Sequence, residues 1–271
     1  MSLRSRASRA PYGALLALFG TIVAPPRAGM SLAIVPPFVE KIVPAGSKLV
    51  DTVAYTNTGD EVVIVSVDFA DFGVTENGDV TEQPPGTEPK SLVRNLRVSP
   101  MEVRVVPNQQ VFFRYSVATP ADFTQMRSML YLSSRPEAVP GANQVQVVAR
   151  MGVPIYVENI KATPADLRIE TLEWERVPDH PDTVLLHLAV VNQGERNIRP
   201  AGYVHVLSTD RRFEETFEFN EGREPVLPGQ KRRWEQQFGP VPDGELALKL
   251  RLTTSDRHSF DAAATLPAAD R

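Results

Sequence analysis

The segment NQVQVVARMGVPIYV, residues 143–157, shows the alternation that decides the fold class of this chain. Side chains on a β-strand point to opposite faces in turn, so residues two apart share a face. One face of this segment is apolar and consists of Val145, Val147, Ala149, Met151 and Val153. The other face is mixed and includes Arg150. The pattern predicts a β-strand with one apolar face.

Short alternating segments of the same kind run through the rest of the chain, separated by turn residues. KLVDTVAYT (48–56) and EVVIVSVDF (61–69) are two of them, and the sequence Asn57-Thr58-Gly59-Asp60 between them is typical of a turn. We therefore expect these two strands to form a hairpin. About seven strands are predicted before residue 158, which is the strand number of an immunoglobulin-like domain. The predicted fold class is all-β.

A change of pattern at residues 158–166 divides the chain. This stretch contains Pro164 and loses the alternation, and a second series of period-two segments begins at Leu167. We predict a first immunoglobulin-like β-sandwich at 34–157, a linker at 158–166 and a second sandwich at 167–261. The residues 262–271 are expected to be a frayed tail.

The N-terminus has the composition of an export signal. Three arginines precede an apolar run, YGALLALFGTIVA (12–24), whose length suits the hydrophobic region of a signal peptide. Cleavage after Ala28 or after Ala33 is compatible with the small residues that follow. We predict a signal peptide at 1–33, an exported protein in the periplasm of a Gram-negative bacterium, and no integral membrane contact after cleavage.

Composition restricts the chemistry available to the chain. There is no cysteine, so a disulfide, a thiolate metal site and lipid attachment through cysteine are excluded. The formal net charge is −4, and removal of residues 1–33 would make the protein more acidic because it removes arginines and no acidic residue. Binding to nucleic acid needs clustered cations, which this sequence lacks. We expect no nucleic acid partner.

The motifs expected of an enzyme are missing. The sequence has no nucleophile elbow, no glycine-rich phosphate loop and no zinc-protease helix motif. Its four histidines are dispersed; His187 and His205 lie in predicted strands and are expected to share the solvent face of one sheet. We predict no catalytic residue, no metal ion and no cofactor, and a protein that is not an enzyme.

The first domain resembles a known family in the order of its segments. FVEKIVPAG (38–46) is followed by a strand that ends at Asn57, then by RVVPNQQVFFR (104–114), SMLYL (128–132) and the closing strand 143–157. This order is similar to that of the periplasmic chaperones that assemble pili through the usher pathway. The resemblance covers about residues 34–157, and the second domain is a divergent immunoglobulin-like domain.

The resemblance implies a function by β-strand donation. In that family the last strand of the first domain completes the sheet of a pilus subunit that lacks one strand, by backbone hydrogen bonds and by side chains that fill the open groove. The corresponding client-binding strand here contains Val145, Val147, Ala149, Met151 and Val153. The implied partners are pilus or surface-protein subunits and an outer-membrane usher, and neither a cofactor nor ATP is implied.

The family also uses two basic residues to hold the carboxylate at the C-terminus of the subunit. Glu40 and Pro154 stand at the two corresponding positions of this sequence. Lys41, Arg150 and Arg94 are the possible carboxylate anchors that remain nearby. An alternative from another class of protein stays open, namely a structural or adhesive surface protein of two sandwich domains without a transient client.

Overall fold

The computed structural model describes residues 31–137, 147–220, 224–254 and 259–268, and within them the chain is built from strands. The single helical element described is a 3₁₀ turn at Val93–Asn95. The strands are β1 (Leu32–Val35), β2 (Val39–Val43), β3 (Lys48–Asn57), β4 (Val63–Val74), β5 (Val80–Gln83), β6 (Leu96–Ser99), β7 (Glu102–Val105), β8 (Gln110–Ala118), β9 (Gln125–Pro136), β10 (Ala149–Asn159), β11 (Leu167–Val177), β12 (His180–Asn192), β13 (Ala201–Ser208), β14 (Glu214–Phe219), β15 (Lys231–Phe238), β16 (Leu246–Thr253) and β17 (Ser259–Leu266).

The first domain is a sandwich of two sheets. One sheet has the order β1-β3-β8-β6, and the other has the order β2-β10-β9-β4-β5 with β7 also paired to β4. Alternate residues of both sheets point inward, as their period of two requires, and form one continuous core that includes Val53, Phe113 and Ile155. The prediction of an immunoglobulin-like sandwich is confirmed for this part of the chain.

The expected hairpin between residues 48–56 and 61–69 is wrong. These segments are the consecutive strands β3 and β4, but β3 pairs with β1 and β8, whereas β4 pairs with β5, β7 and β9. The intervening turn carries the chain from one sheet to the other, and the Asn57 side-chain amide fixes it by donating to the carbonyl oxygens of Glu61 (2.7 Å) and Val105 (3.2 Å). Alternation identifies a strand but not its partner.

The second domain is another two-layer sandwich, with sheets of order β11-β12-β15 and β14-β13-β16-β17 around a separate core. Two predictions fail here. Residues 262–266, assigned to the tail, belong to β17, which pairs with β16 along its whole length. His187 lies on β12 and His205 on β13, so they belong to different sheets; each contacts glutamate side chains instead, at 3.2 Å in the closest case.

The domain boundaries differ slightly from those predicted. β1 begins at Leu32, and Leu32 packs against the core, so the predicted boundary at residue 33 falls inside a strand. At the other end, β10 extends two residues beyond 157, to Asn159. Within the described residues no helix has the length and hydropathy needed to cross a bilayer.

A small apolar cluster joins the two domains. Phe72, Met129 and Tyr156, on the outer face of the β2-β10-β9-β4-β5 sheet, pack against Leu227 of the second domain. Beside this cluster the guanidinium of Arg232 lies against Gly78, where a β-carbon would come within 1.8 Å of it. A side chain at Gly78 would therefore displace this guanidinium, and the φ of +95° at this position is strained for any residue other than glycine.

Candidate functional site

β10 is paired on both sides along only part of its length. It runs antiparallel to β9 from Ala149 to Glu158, but its parallel pairing with β2 covers Ile155–Asn159 alone. No described strand pairs with the other side of Ala149–Pro154, which we call the free edge. A free edge exposes unpaired backbone hydrogen-bonding groups to any further strand that approaches it.

Exposure changes abruptly along one face of this segment. Ile155 and Val153 are buried in the domain core, with 0% and 1% of their surface exposed. Two residues before Val153, Met151 is 45% exposed, and Val147, four residues before Met151, is 64% exposed. Ala149 between them is half-buried. We call Val147, Ala149 and Met151 the apolar edge face, because Ala149 and Met151 continue the core-facing row of β10, and Val147, just before the strand begins, holds the next position of the same alternation.

The predicted client-binding strand therefore separates into parts. Val145 lies outside the described residues. Val147, Ala149 and Met151 form the apolar edge face and remain candidates for contact with a partner. Val153 is also part of the predicted client-binding strand, but its side chain belongs to the core of its own domain and is not part of the candidate face.

Two of the predicted carboxylate anchors, Lys41 and Arg94, already have partners in the structure. Lys41 points inward from β2 and forms an ion pair with Asp51 of the opposite sheet at 2.6 Å, which holds the pKa of Asp51 below its usual value. Arg94 lies within the 3₁₀ turn on the exposed surface, and its guanidinium donates to the Gly86 carbonyl oxygen at 3.5 Å. Their role as anchors remains a prediction.

Arg150 lies at the free edge, but its charge is already paired. Its guanidinium donates to both carboxylate oxygens of Glu82, at 2.6 and 3.1 Å, and to Asp68 at 3.2 Å. It also lies over the Tyr131 ring, 3.4 Å from the centroid. Since Val157 is the partner of Lys41, seven residues separate Arg150 from Lys41 along β10, roughly 23 Å at the usual rise. The two cations do not form one site.

Glu40 and Pro154, which the resemblance places at the anchor positions, lie at the cleft between the domains. Glu40 accepts hydrogen bonds there from Arg199 at 2.7 Å and from Asn197 at 2.8 Å. The Arg199 guanidinium also stacks on Phe38, 4.0 Å from the ring centroid. Pro154 lines a cavity of about 240 Å³ in this cleft. Glu40 of the first domain and Arg199 of the second domain thus lie where the resemblance predicts a basic anchor.

The second domain supplies the cations of this cleft. The cavity is lined by Arg199 and Arg232, and Arg232 is ion-paired with Glu224 at 2.7 Å. Neither arginine is among the residues predicted from the sequence, because the resemblance covers only the first domain. Their positions, in the loop after β12 and on β15, contain no motif that marks them.

Glu158 is a buried carboxyl group at the same junction. Burial raises its pKa to about 7, the neighbouring charge of Glu40 adds to the rise, and a hydrogen bond from the Asn197 backbone N–H at 2.7 Å opposes it. In the unfolded chain the group titrates near 4.5. Between these values the folded protein binds more protons, so its stability falls as the pH rises from about 4.5 to about 7 and stays lowered above that range.

Replacing Glu158 by glutamine should remove this pH dependence. At pH 8 the Glu158→Gln variant should have a free energy of unfolding higher than that of the parent by on the order of 3 kcal/mol, because the amide carries no charge and its oxygen still accepts from Asn197. At pH 3, where the glutamic acid is neutral in both states, the two proteins should differ little. Chemical denaturation at the two pH values measures the difference; an equal difference at both would contradict the assignment.

No protein-family model and no curated protein matches this chain. Among solved structures it is similar to the class 5 fimbriae chaperone CfaA, at 10% identity over 88% of this chain and 100% of that one, with a TM-score of 0.43. It is also similar to the E. coli chaperone DraB, at 17% identity over 88% and 98% of the two chains, with a TM-score of 0.45.

A third similar structure contains two proteins, the Salmonella enterica SafA pilin and the SafB chaperone. The identity is 16%, the coverage is 87% of this chain and 97% of that chain, and the TM-score is 0.45. These structures are described as chaperones or as a complex with a chaperone, and this chain is similar to them in fold.

Proposed function

We propose that this protein is a periplasmic chaperone-like protein that binds exported pilus or surface subunits by β-strand donation. The observation that carries the proposal is the free edge Ala149–Pro154 together with the apolar edge face beside it. Backbone groups and apolar side chains are presented at one place, and both are what a sheet with a missing strand requires.

The mechanism follows from the geometry of β10. A subunit strand that adds to the free edge gains backbone hydrogen bonds, while Val147, Ala149 and Met151 enter the groove left by its missing strand. Full burial of a valine or methionine side chain contributes about 1.5–3 kcal/mol, so Val147 and Met151, which are both exposed in the free protein, are the main sources of affinity. Ala149 contributes less because it is small.

The client class and the compartment come from the sequence. The order of segments in residues 34–157 resembles the usher-pathway chaperones, whose clients are subunits that lack a strand, and the N-terminal segment has the composition of an export signal. We infer cleavage after Ala28, because cleavage after Ala33 would remove the first half of β1. An outer-membrane usher is the further partner that the resemblance implies.

The proposal predicts a stable complex that can be isolated. The chain carries a photo-crosslinking residue at position 147 or, as a control, at position 148. It is co-expressed in the periplasm with each small exported protein that is encoded beside it. We expect a one-to-one complex and a crosslink from position 147, but not from 148, to the interior of the subunit sandwich, because neighbouring residues of a strand face opposite ways.

Recovery of the chain alone in every co-expression would contradict the chaperone proposal. It would favour the structural or adhesive surface protein, which has no transient client.

A further inference from the structure

The free edge requires something to hold it in place before a partner arrives. Ala149–Pro154 is hydrogen-bonded on the β9 side only among the described strands, and residues 147 and 148 just before it are not part of a strand. Ordering a backbone residue costs roughly 1–2 kcal/mol, so a segment that is ordered in advance binds more tightly and faster than one that must be ordered on contact.

The Arg150 side chain crosses the sheet. From β10 it passes over Tyr131 of β9 and reaches Asp68 of β4 and Glu82 of β5. One side chain thereby connects four neighbouring strands, and its planar guanidinium makes a two-pronged contact with Glu82 that a lysine ammonium cannot reproduce. The same contact holds the pKa of Glu82 below its usual value.

Gly152 makes room for this arrangement. It lies opposite Tyr131 in the β9–β10 register. A β-carbon at position 152 would lie 2.7 Å from the sulfur of Met129 and 2.9 Å from a ring carbon of Tyr131. The absence of a side chain on β10 therefore lets the Tyr131 ring lie where Arg150 can stack on it.

We infer that Arg150 is a positioning residue that keeps the free edge extended and paired with β9 in the absence of a client. It acts through Tyr131, Asp68 and Glu82 and does not itself contact the carboxylate of a subunit. The inference rests on the proposed strand donation, which gives the ordered edge its purpose.

Hydrogen–deuterium exchange of the free, full-length mature protein tests the inference. In Arg150→Met, which keeps an apolar stem but loses the charge, the amides of Ala149–Val153 that bond to β9 should exchange at least tenfold faster. The rest of the first domain should be unchanged. Arg150→Lys should restore only part of the protection, and 0.5 M salt should speed exchange in the parent but not in Arg150→Met.

Arg104→Met is the matched control, because Arg104 makes a two-pronged contact with Glu137 at 2.8 and 2.9 Å on an exposed surface of the same domain. It should leave exchange at Ala149–Val153 as in the parent. Unchanged exchange in Arg150→Met, or acceleration spread evenly over the domain, would overturn the positioning role. The contact of Arg150 with Glu82 and Asp68 would then be an ion pair that stabilises the domain as a whole.

A capture experiment separates this inference from the proposed function. If the parent captures a subunit and the exchange rates of Arg150→Met equal those of the parent, the positioning role is wrong and strand donation stands. If exchange in Arg150→Met accelerates as expected but neither the parent nor the variant captures any co-expressed subunit, strand donation is wrong. The ordered edge then has no role in binding a subunit. If both stand, Arg150→Met should associate with the subunit more slowly, by about tenfold.

Discussion

The Val147→Asp variant should lose capture of a subunit by more than 100-fold while remaining folded. In the complex the new carboxylate would face the apolar groove of the subunit, and burying an unpaired charge costs several kcal/mol, of which each 1.4 kcal/mol is a factor of ten in affinity. In the free protein the side chain is 64% exposed, so the fold has little to lose. Titration of the purified subunit measures the first effect, and circular dichroism with thermal melting measures the second.

Val148→Asp is the matched control for this variant. Val148 is also an exposed valine, and it is the next residue in the chain, but a strand that extends through both positions points it away from the groove. It should therefore retain most of the affinity. Loss of capture in both variants would mean that the segment does not bind as a strand, and retention in both would place the contact elsewhere on the molecule.

The Ile155→Ala variant should lose 2–5 kcal/mol of the free energy of unfolding, which is the usual cost of removing most of a buried isoleucine. Ile155 is fully buried in the first core and lies where β10 is paired to both β9 and β2. Urea denaturation followed by circular dichroism measures the loss.

Met151→Ala is the matched comparison for Ile155→Ala. Met151 is on the same face of the same strand as Ile155, four residues earlier, but it is largely exposed. Its replacement should cost less than about 1 kcal/mol of stability and should instead weaken binding of a subunit several-fold. Equal losses of stability in the two variants would show that the apolar edge face is ordinary core, which would contradict the proposed function.

The two pairs of variants test whether one strand serves both its own domain and a partner. From Val153 onward the core-facing row of β10 is buried in its own domain, and before that point Met151 is exposed and Ala149 is half-buried. The pairing with β2 begins two residues after Val153, at Ile155. A strand that was paired on both sides throughout could stabilise the sandwich but could not be donated.

The cleft shows how the chain differs from the family that its first domain resembles. The expected basic positions hold Glu40 and Pro154, and the cations nearby come from the second domain and are paired with Glu40 and Glu224. The pairing of Glu40 with Arg199 also connects the two domains directly. This part of the site could not be predicted by aligning the first domain alone, because its residues are more than 150 positions apart in the chain.

The sequence by itself determined the features that depend on local geometry. A strand alternates with a period of two wherever it lies, so the all-β class and the two immunoglobulin-like domains follow from the order of residues, and the shared face of Val147, Ala149 and Met151 is a prediction of the same kind. The division near residues 158–166 was also predicted, because loss of alternation is a local signal.

Only the tertiary structure decided which sheet each strand joins, where the apolar row of β10 leaves the core, and what Arg150 binds. β3 and β4 were expected to pair and lie in different sheets, because turn residues do not determine the partner of a strand. The partners of Arg150 are 68 and 82 residues away in the chain. Contacts of that kind depend on packing between distant segments, and no local pattern of residues specifies them.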